Sequence, residues 1–189
     1  MKITVGPRRD CAVAVTKYNA THIFSIQEGH EKGDPQRKIP TPQGIIKHNH
    51  FFFQDLNSPE LKEYYDIKEK KMVKLYPPTS EDIRDILDKA KGLPARAHLF
   101  LHCFAGISRS PACAFAIICQ ILGGGKEELA VKIMVQACPY GGISPNGLII
   151  QYADEILNRN GRMIKAIDNY ARSESVEWEN IKNWVNSKK

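Results

Sequence analysis

Apolar residues recur along this chain with two periods, and the change from one to the other predicts its elements. Ile3–Val5 and His22–Ile26 are short apolar runs that predict strands, and they flank a helical stretch around Arg8–Lys17 in a βαβ opening. From Gln27 to Gly44 the chain is polar and carries Gly29, Gly33, Pro35, Pro40 and Pro42, which predicts a loop. Lys47–Leu56, with Phe51, Phe52 and Phe53, predicts a buried strand that delivers Asp55 to its C-terminal end. After Pro77-Pro78, Ser80 is placed to cap a helix whose Ile83, Ile86, Leu87 and Ala90 repeat at helical spacing up to Gly92 and Pro94.

A strand over His98–His102 follows. The next helix, Ser110–Leu122, is apolar nearly all round, has Pro111 in its first turn and ends in Gly123-Gly124-Gly125, so it belongs at the centre of a domain. Glu127–Ala137, Asn146–Asn158, Met163–Tyr170 and Val176–Val185 carry helical periodicity, with Trp178, Ile181 and Val185 as an apolar stripe. The expected fold is therefore α/β: a central four- to five-stranded sheet flanked by helices, with a helical C-terminal half. At 189 residues this is one domain, with about 171–189 as a helical extension.

Charge changes that picture little. There are 27 Lys plus Arg against 21 Asp plus Glu, and the lysines of 62–74 alternate with Glu63, Asp66 and Glu69, so no nucleic-acid face is expected, although anionic substrates fit the net +6. No run reaches the roughly 18–20 apolar residues of a membrane span, and Met1–Val5 lacks a signal-peptide core; the expectation is a cytoplasmic chain. Cys11, Cys103, Cys113, Cys119 and Cys138 form an odd set without a Cys-x-x-Cys pair, which argues against a disulfide framework or zinc ribbon. His48 and His50 share a strand face, but no Cys or carboxylate accompanies them at ligand spacing, so no metal is expected.

The chemistry concentrates in Leu99-Phe100-Leu101-His102-Cys103-Phe104-Ala105-Gly106-Ile107-Ser108-Arg109-Ser110, a strand, a short loop and a helix N-terminus. Successive N–H groups of Phe104, Ala105, Gly106, Ile107 and Ser108 would form an anion cradle, to which the helix dipole adds positive potential. The same field lowers the pKa of the Cys103 thiol and makes it a nucleophile, and the planar fork of Arg109 can grip two phosphoryl oxygens. Cys113 and Cys119 read as small core residues, with Cys113 as a lesser candidate to resolve an oxidised Cys103.

His102–Ser110, HCFAGISRS, resembles the signature of the cysteine-dependent protein phosphatases, in the form used by the dual-specificity branch. Ile143–Tyr152 is similar to the Pro-Asn-x-Gly-Phe-x-x-Gln-Leu segment of those enzymes, one residue shorter between Asn146 and Gly147. The resemblance covers Lys47 to about Tyr152. It implies no cofactor or metal, a cysteinyl-phosphate intermediate, Cys103 as nucleophile, Arg109 as phosphoryl ligand, Ser110 as hydrogen-bond donor to the sulfur, and His102 and Asn146 in support. It also requires a carboxylic acid on a separate loop. Asp55 is the candidate, Asp66 the runner-up, and the 48 positions between Asp55 and Cys103 imply an insertion around Ser58–Tyr76.

The expected activity is hydrolysis of phosphotyrosine, and of phosphoserine or phosphothreonine, in a protein or peptide. A phosphoinositide or RNA 5′-end phosphatase, and a phospho-dependent binding module without turnover, are the alternatives.

Overall fold

The chain opens with β1 (Lys2–Pro7), a 3-10 turn over Arg8–Val13 that runs into a short α1 (Ala14–Tyr18), and β2 (His22–Gln27). Then come β3 (Lys47–Phe52), β4 (Lys62–Asp66), β5 (Lys71–Leu75), α2 (Ser80–Lys91), β6 (His98–Cys103), α3 (Arg109–Leu122), α4 (Glu127–Ala137), α5 (Gly147–Ile156) and α6 (Arg162–Asn186). The computed structural model describes residues 1–28, 38–67 and 70–186, with Asp66, Lys71 and 176–186 described by backbone only. Half of the Gln27–Gly44 segment and the side chains of the Trp178, Ile181 and Val185 stripe thus lie outside the described residues.

The four-stranded sheet has the order β1-β6-β2-β3 and every pair in it is parallel. Pro7 lies opposite Cys103, Ser25 opposite His102 and Gln27 opposite Phe52, so the strands all end at one edge. In open parallel sheets that edge is where ligands bind. Side chains alternate along each strand: Leu99, Leu101 and Cys103 join Val5, Phe24, Ile26 and Phe51 under the helices α2–α6, whereas Phe100 and Ile23 join Cys11, Ala14 and Ala20 beneath α1. With both faces covered, every residue of β6 is buried.

Helix α3 fulfils its all-round apolar pattern, since Arg109 to Cys119 are all buried between the sheet and α2, α4 and α5. Gly123 ends it at φ +78°, a left-handed value that disfavours a side chain.

Three expectations change, and one gains a shape. The cap of α2 is Thr79, not Ser80: Thr79 Oγ1 accepts from Asp82 N at 3.2 Å while an Asp82 carboxylate oxygen accepts from Thr79 N at 3.0 Å, a reciprocal box that Ser80 has no acid in place to complete. Strand β3 stops at Phe52 rather than Leu56, because its neighbour β2 ends at Gln27 and Phe53 N makes the last bond, 3.0 Å to Gln27 O. The expected insertion around Ser58–Tyr76 holds a separate antiparallel hairpin, β4–β5, in which Val73 is buried while Tyr64, Tyr65 and Met72 are exposed. Finally, α6 is one helix where two were expected. Tyr170–Val176 is polar but has no Gly or Pro, and Ser173 and Ser175 return their hydroxyls to Tyr170 O and Arg172 O, so nothing breaks the turn.

Candidate active site

Cys103 is the last residue of β6 and Arg109 the first of α3, so the segment 104–108 turns at the C-terminal edge of the sheet. The turn requires Gly106: its φ is +76°, and a Cβ there would lie 2.6 Å from Gly6 C, on the end of β1. Three neighbours hold the loop by its carbonyls. Arg8 N donates to Phe104 O at 3.1 Å, Ser144 N to Ile107 O at 2.9 Å and Asn146 N to Ser108 O at 3.3 Å.

The Cys103 Sγ is 3.3 Å from both Gly106 N and Ser110 Oγ. Burial by itself would push this thiol up, but the Ser110 hydroxyl and amide, the Arg109 charge and the Gly106 amide outweigh it and hold the group below its ordinary range. The other thiols go the opposite way: burial pushes Cys11 up to about 11 and Cys119 and Cys138 up to about 12, and Cys113 higher still. Cys113 is buried on α3, and burial favours its protonated form, which gives a resolving role no support.

Arg109 is 3% exposed, and its Nη1 donates to Phe53 O at 2.9 Å. Nη2 lies 3.5 Å from Glu28 Oε1, and Nε, 3.9 Å from Asp55 Oδ2, is a buried donor with no hydrogen-bond acceptor among the described residues. A buried guanidinium with an unused N–H is costly unless an anion takes it.

Asp55 stands on the segment after β3, held from both sides of the loop. Its Oδ1 accepts from Ser108 Oγ at 2.7 Å and from Asn146 Nδ2 at 2.9 Å. Asn146 is 1% exposed; its amide also reaches Leu56 O, while its Oδ1 caps α5 by accepting from Ile149 N at 3.0 Å. Asp66 lies at the far end of β4, four residues and about 14 Å along the strand from the hairpin base at Lys62–Leu75. So the fold gathers Cys103, Arg109, Ser110, Asp55, Asn146 and the loop Phe104–Ser108 at one point.

Behind the loop, His102 is fully buried. Its Nδ1 faces Cys103 O at 3.4 Å, and its Nε2 lies 2.6 Å from Ser25 Oγ, which is itself 2.6 Å from His48 Nε2. Cys11 closes on the same point: its sulfur and the ring nitrogens of His48 and His102 all lie within 4.8 Å of one another. Chain spacing offers His48 no cysteine at ligand spacing, and the fold brings one, Cys11, from the 3-10 turn after β1, 37 positions away. Chain spacing could not have shown Ser25, Arg8, Glu28 or Thr41 near the site; the alternation of β2 and β3 put Ser25 and His48 on definite faces, but not on facing ones.

Burial pushes His102 down to about 4, and burial with the neighbouring His50 pushes His48 to about 3. Both values are below the ordinary 6.5, so as pH falls from 6.5 the unfolded chain takes up two protons that the native state refuses. Stability should be insensitive to these groups above pH 6.5 and should fall below it by up to about 1.4 kcal/mol per pH unit for each histidine. Urea unfolding between about pH 7.5 and about pH 4.5 measures this slope, and His48→Gln should lower it by one proton.

Two recesses flank the loop. One, of about 370 Å³, is lined by Arg8, Gln27, Glu28, Lys38, Phe104 and Arg109; the other, of about 780 Å³, by Arg8, Arg9, Phe104, Ile107 and Tyr140. Tyr140 is held there by the buried Asp10, which also takes Tyr18 and Lys17.

No protein-family profile matches the chain, and no curated protein matches it. Solved structures do. Human tyrosine phosphatase-like serine/threonine/tyrosine-interacting protein aligns over 82% of this chain and 89% of its own at 19% identity, with a TM-score of 0.57. DUSP15 aligns over 90% of each chain at 17% identity and a TM-score of 0.54. PTPMT1 in complex with PI(5)P aligns over 84% of this chain and 94% of its own at 15% identity and a TM-score of 0.51. What is shared at such identities is the fold: the chain has the architecture of these phosphatase and phosphatase-like structures.

Proposed function

We propose that this chain is a cysteine-dependent phosphomonoesterase that hydrolyses phosphotyrosine, and with it phosphoserine or phosphothreonine, in proteins or peptides. One arrangement carries the reading: Cys103 Sγ lies 3.3 Å from the amide of Gly106 and the hydroxyl of Ser110, and Arg109, at the head of the same buried helix, has a buried Nε–H without an acceptor among the described residues. A phosphoryl dianion would accept from the loop amides and from Arg109, and so neutralise the charge now buried there.

In the first step the Cys103 sulfur forms a bond to phosphorus as the ester P–O bond breaks, and Asp55 gives its proton to the departing oxygen. In the second step water attacks the phosphorus, Asp55 takes back a proton, and the S–P bond breaks to leave a thiolate that Ser110 stabilises. A binding module without turnover would have no use for this acid, and Asp55 is held in place by Ser108 and Asn146.

The substrate class is argued from the rim. Phe104, Ile107 and Tyr140 are 67%, 43% and 51% exposed around the cradle and offer apolar surface to an aromatic ring. A phosphoinositide is the second reading, supported by Arg8 and Lys38 in the adjoining recess and by the PTPMT1 structure, which holds such a lipid. A phosphotyrosine peptide should be turned over with clearly higher kcat/KM than a soluble phosphoinositide. Equal efficiencies would favour the second reading, and an Arg8→Ala variant impaired only on the lipid would confirm it.

A further inference from the structure

We infer that Ser25 and His48 are positioning residues that set the catalytic loop through a hydrogen-bond relay of one fixed direction, from Thr41 through His48, Ser25 and His102 to the Cys103 carbonyl. The inference rests on the phosphatase reading for its effect on turnover, but the relay itself is argued from proton counting.

The Cys103 carbonyl can only accept, so the His102 Nδ1 facing it carries the proton. A neutral imidazole has one N–H, which makes His102 Nε2 an acceptor, and the Ser25 hydroxyl at 2.6 Å must then donate to it. Ser25 has no second proton. His48 Nε2, also at 2.6 Å, therefore donates to Ser25 Oγ, and its Nδ1 accepts from Thr41 Oγ1 at 3.1 Å. Cys11, whose burial keeps it protonated, can fill the remaining lone pair of Ser25 with its S–H. Every polar group of this pocket then has a partner, and the reverse direction would set two lone pairs against each other at the Cys103 carbonyl. His50 stacks on His48 at 4.0 Å and takes its own bond from Gln27, which keeps the His48 ring in plane.

The consequence reaches the sulfur through one peptide plane. The C=O of Cys103 and the N–H of Phe104 belong to the same trans peptide and point in opposite directions. Holding that carbonyl toward His102 aims the Phe104 N–H at the cradle.

Two substitutions separate this role from simple packing. In His48→Gln the side-chain amide can still donate to Ser25 and accept from Thr41, whereas His48→Leu has a similar volume and can do neither. Nitrogen NMR of the wild type should show the proton on Nδ1 of His102 and on Nε2 of His48, a measurement that needs no substrate. His48→Leu and Ser25→Ala should lower kcat up to about 100-fold with KM little changed, the cost of a loop misplaced by a fraction of an ångström. Their Cys103 should also be alkylated by iodoacetamide with a pH profile shifted upward, while His48→Gln and Ser25→Thr stay near wild type. Opposite tautomers, or a wild-type alkylation profile in folded His48→Leu and Ser25→Ala, would overturn the relay. If the tautomers and alkylation shifts are as stated and no phosphoester is turned over, the phosphatase reading fails and the relay stands.

Discussion

Cys103→Ser protein should lose turnover of an aryl phosphate by roughly 10⁴–10⁶-fold, while a chelator leaves the wild type unaffected. The size follows from what the sulfur alone supplies. A serine hydroxyl at the same place keeps its proton near neutral pH, has no base beside it to take that proton, and cannot form the covalent intermediate. His102 does not fill that role, since its two nitrogens are committed to Cys103 O and Ser25. The chelator arm tests the source of the positive charge. In the proposed mechanism the Gly106 amide, Arg109 and the α3 terminus supply the stabilisation that metal ions give elsewhere. The variant should still bind a phosphotyrosine peptide, because the cradle and Arg109 remain, and its captured partners would name the cellular substrate. Activity that survives in Cys103→Ser, or that a chelator removes, would end the mechanism.

Asp55→Asn should cost about 10²–10⁴-fold on an alkyl or simple aryl phosphate and far less on an activated aryl ester. The difference is diagnostic, because an activated phenolate departs with little protonation whereas a poor leaving group needs the proton in the transition state. Asn can keep the bonds from Ser108 and Asn146, so the fold and the loop should be unchanged and the loss belongs to the proton. Asp66→Asn, at the far end of the hairpin, should match the wild type on both esters. If the leaving-group-dependent loss follows Asp66 instead, the hairpin carries the acid and the assignment of Asp55 is wrong.

Legibility from the sequence followed the range of each interaction. HCFAGISRS could be read directly, because the strand, the Gly106 turn and the helix that make the cradle are contiguous, and Ser110, Arg109 and Gly106, which lower the Cys103 thiol, all lie within seven residues of it. Asp55 was reachable in the same way, as the carboxylate at the end of an apolar run, even though the strand proper stops at Phe52. The all-apolar Ser110–Leu122 segment likewise announced its own burial. What the sequence could not hold was register across the sheet. The period of a strand assigns a face to Ser25, His48 and His102, yet only the order β1-β6-β2-β3 decides that three hydroxyl and imidazole groups from three strands meet in line, with Cys11 from the turn after β1. The same holds for the partners of Arg109: Phe53 O, Glu28 and Asp55 come from two separate strand ends. Local sequence could build the nucleophile and its cradle, because those depend on bonds within a few residues. The hold on Asp55, the proposed proton donor, and the relay inferred behind the loop depend on which strand lies beside which, and the tertiary structure alone decides that.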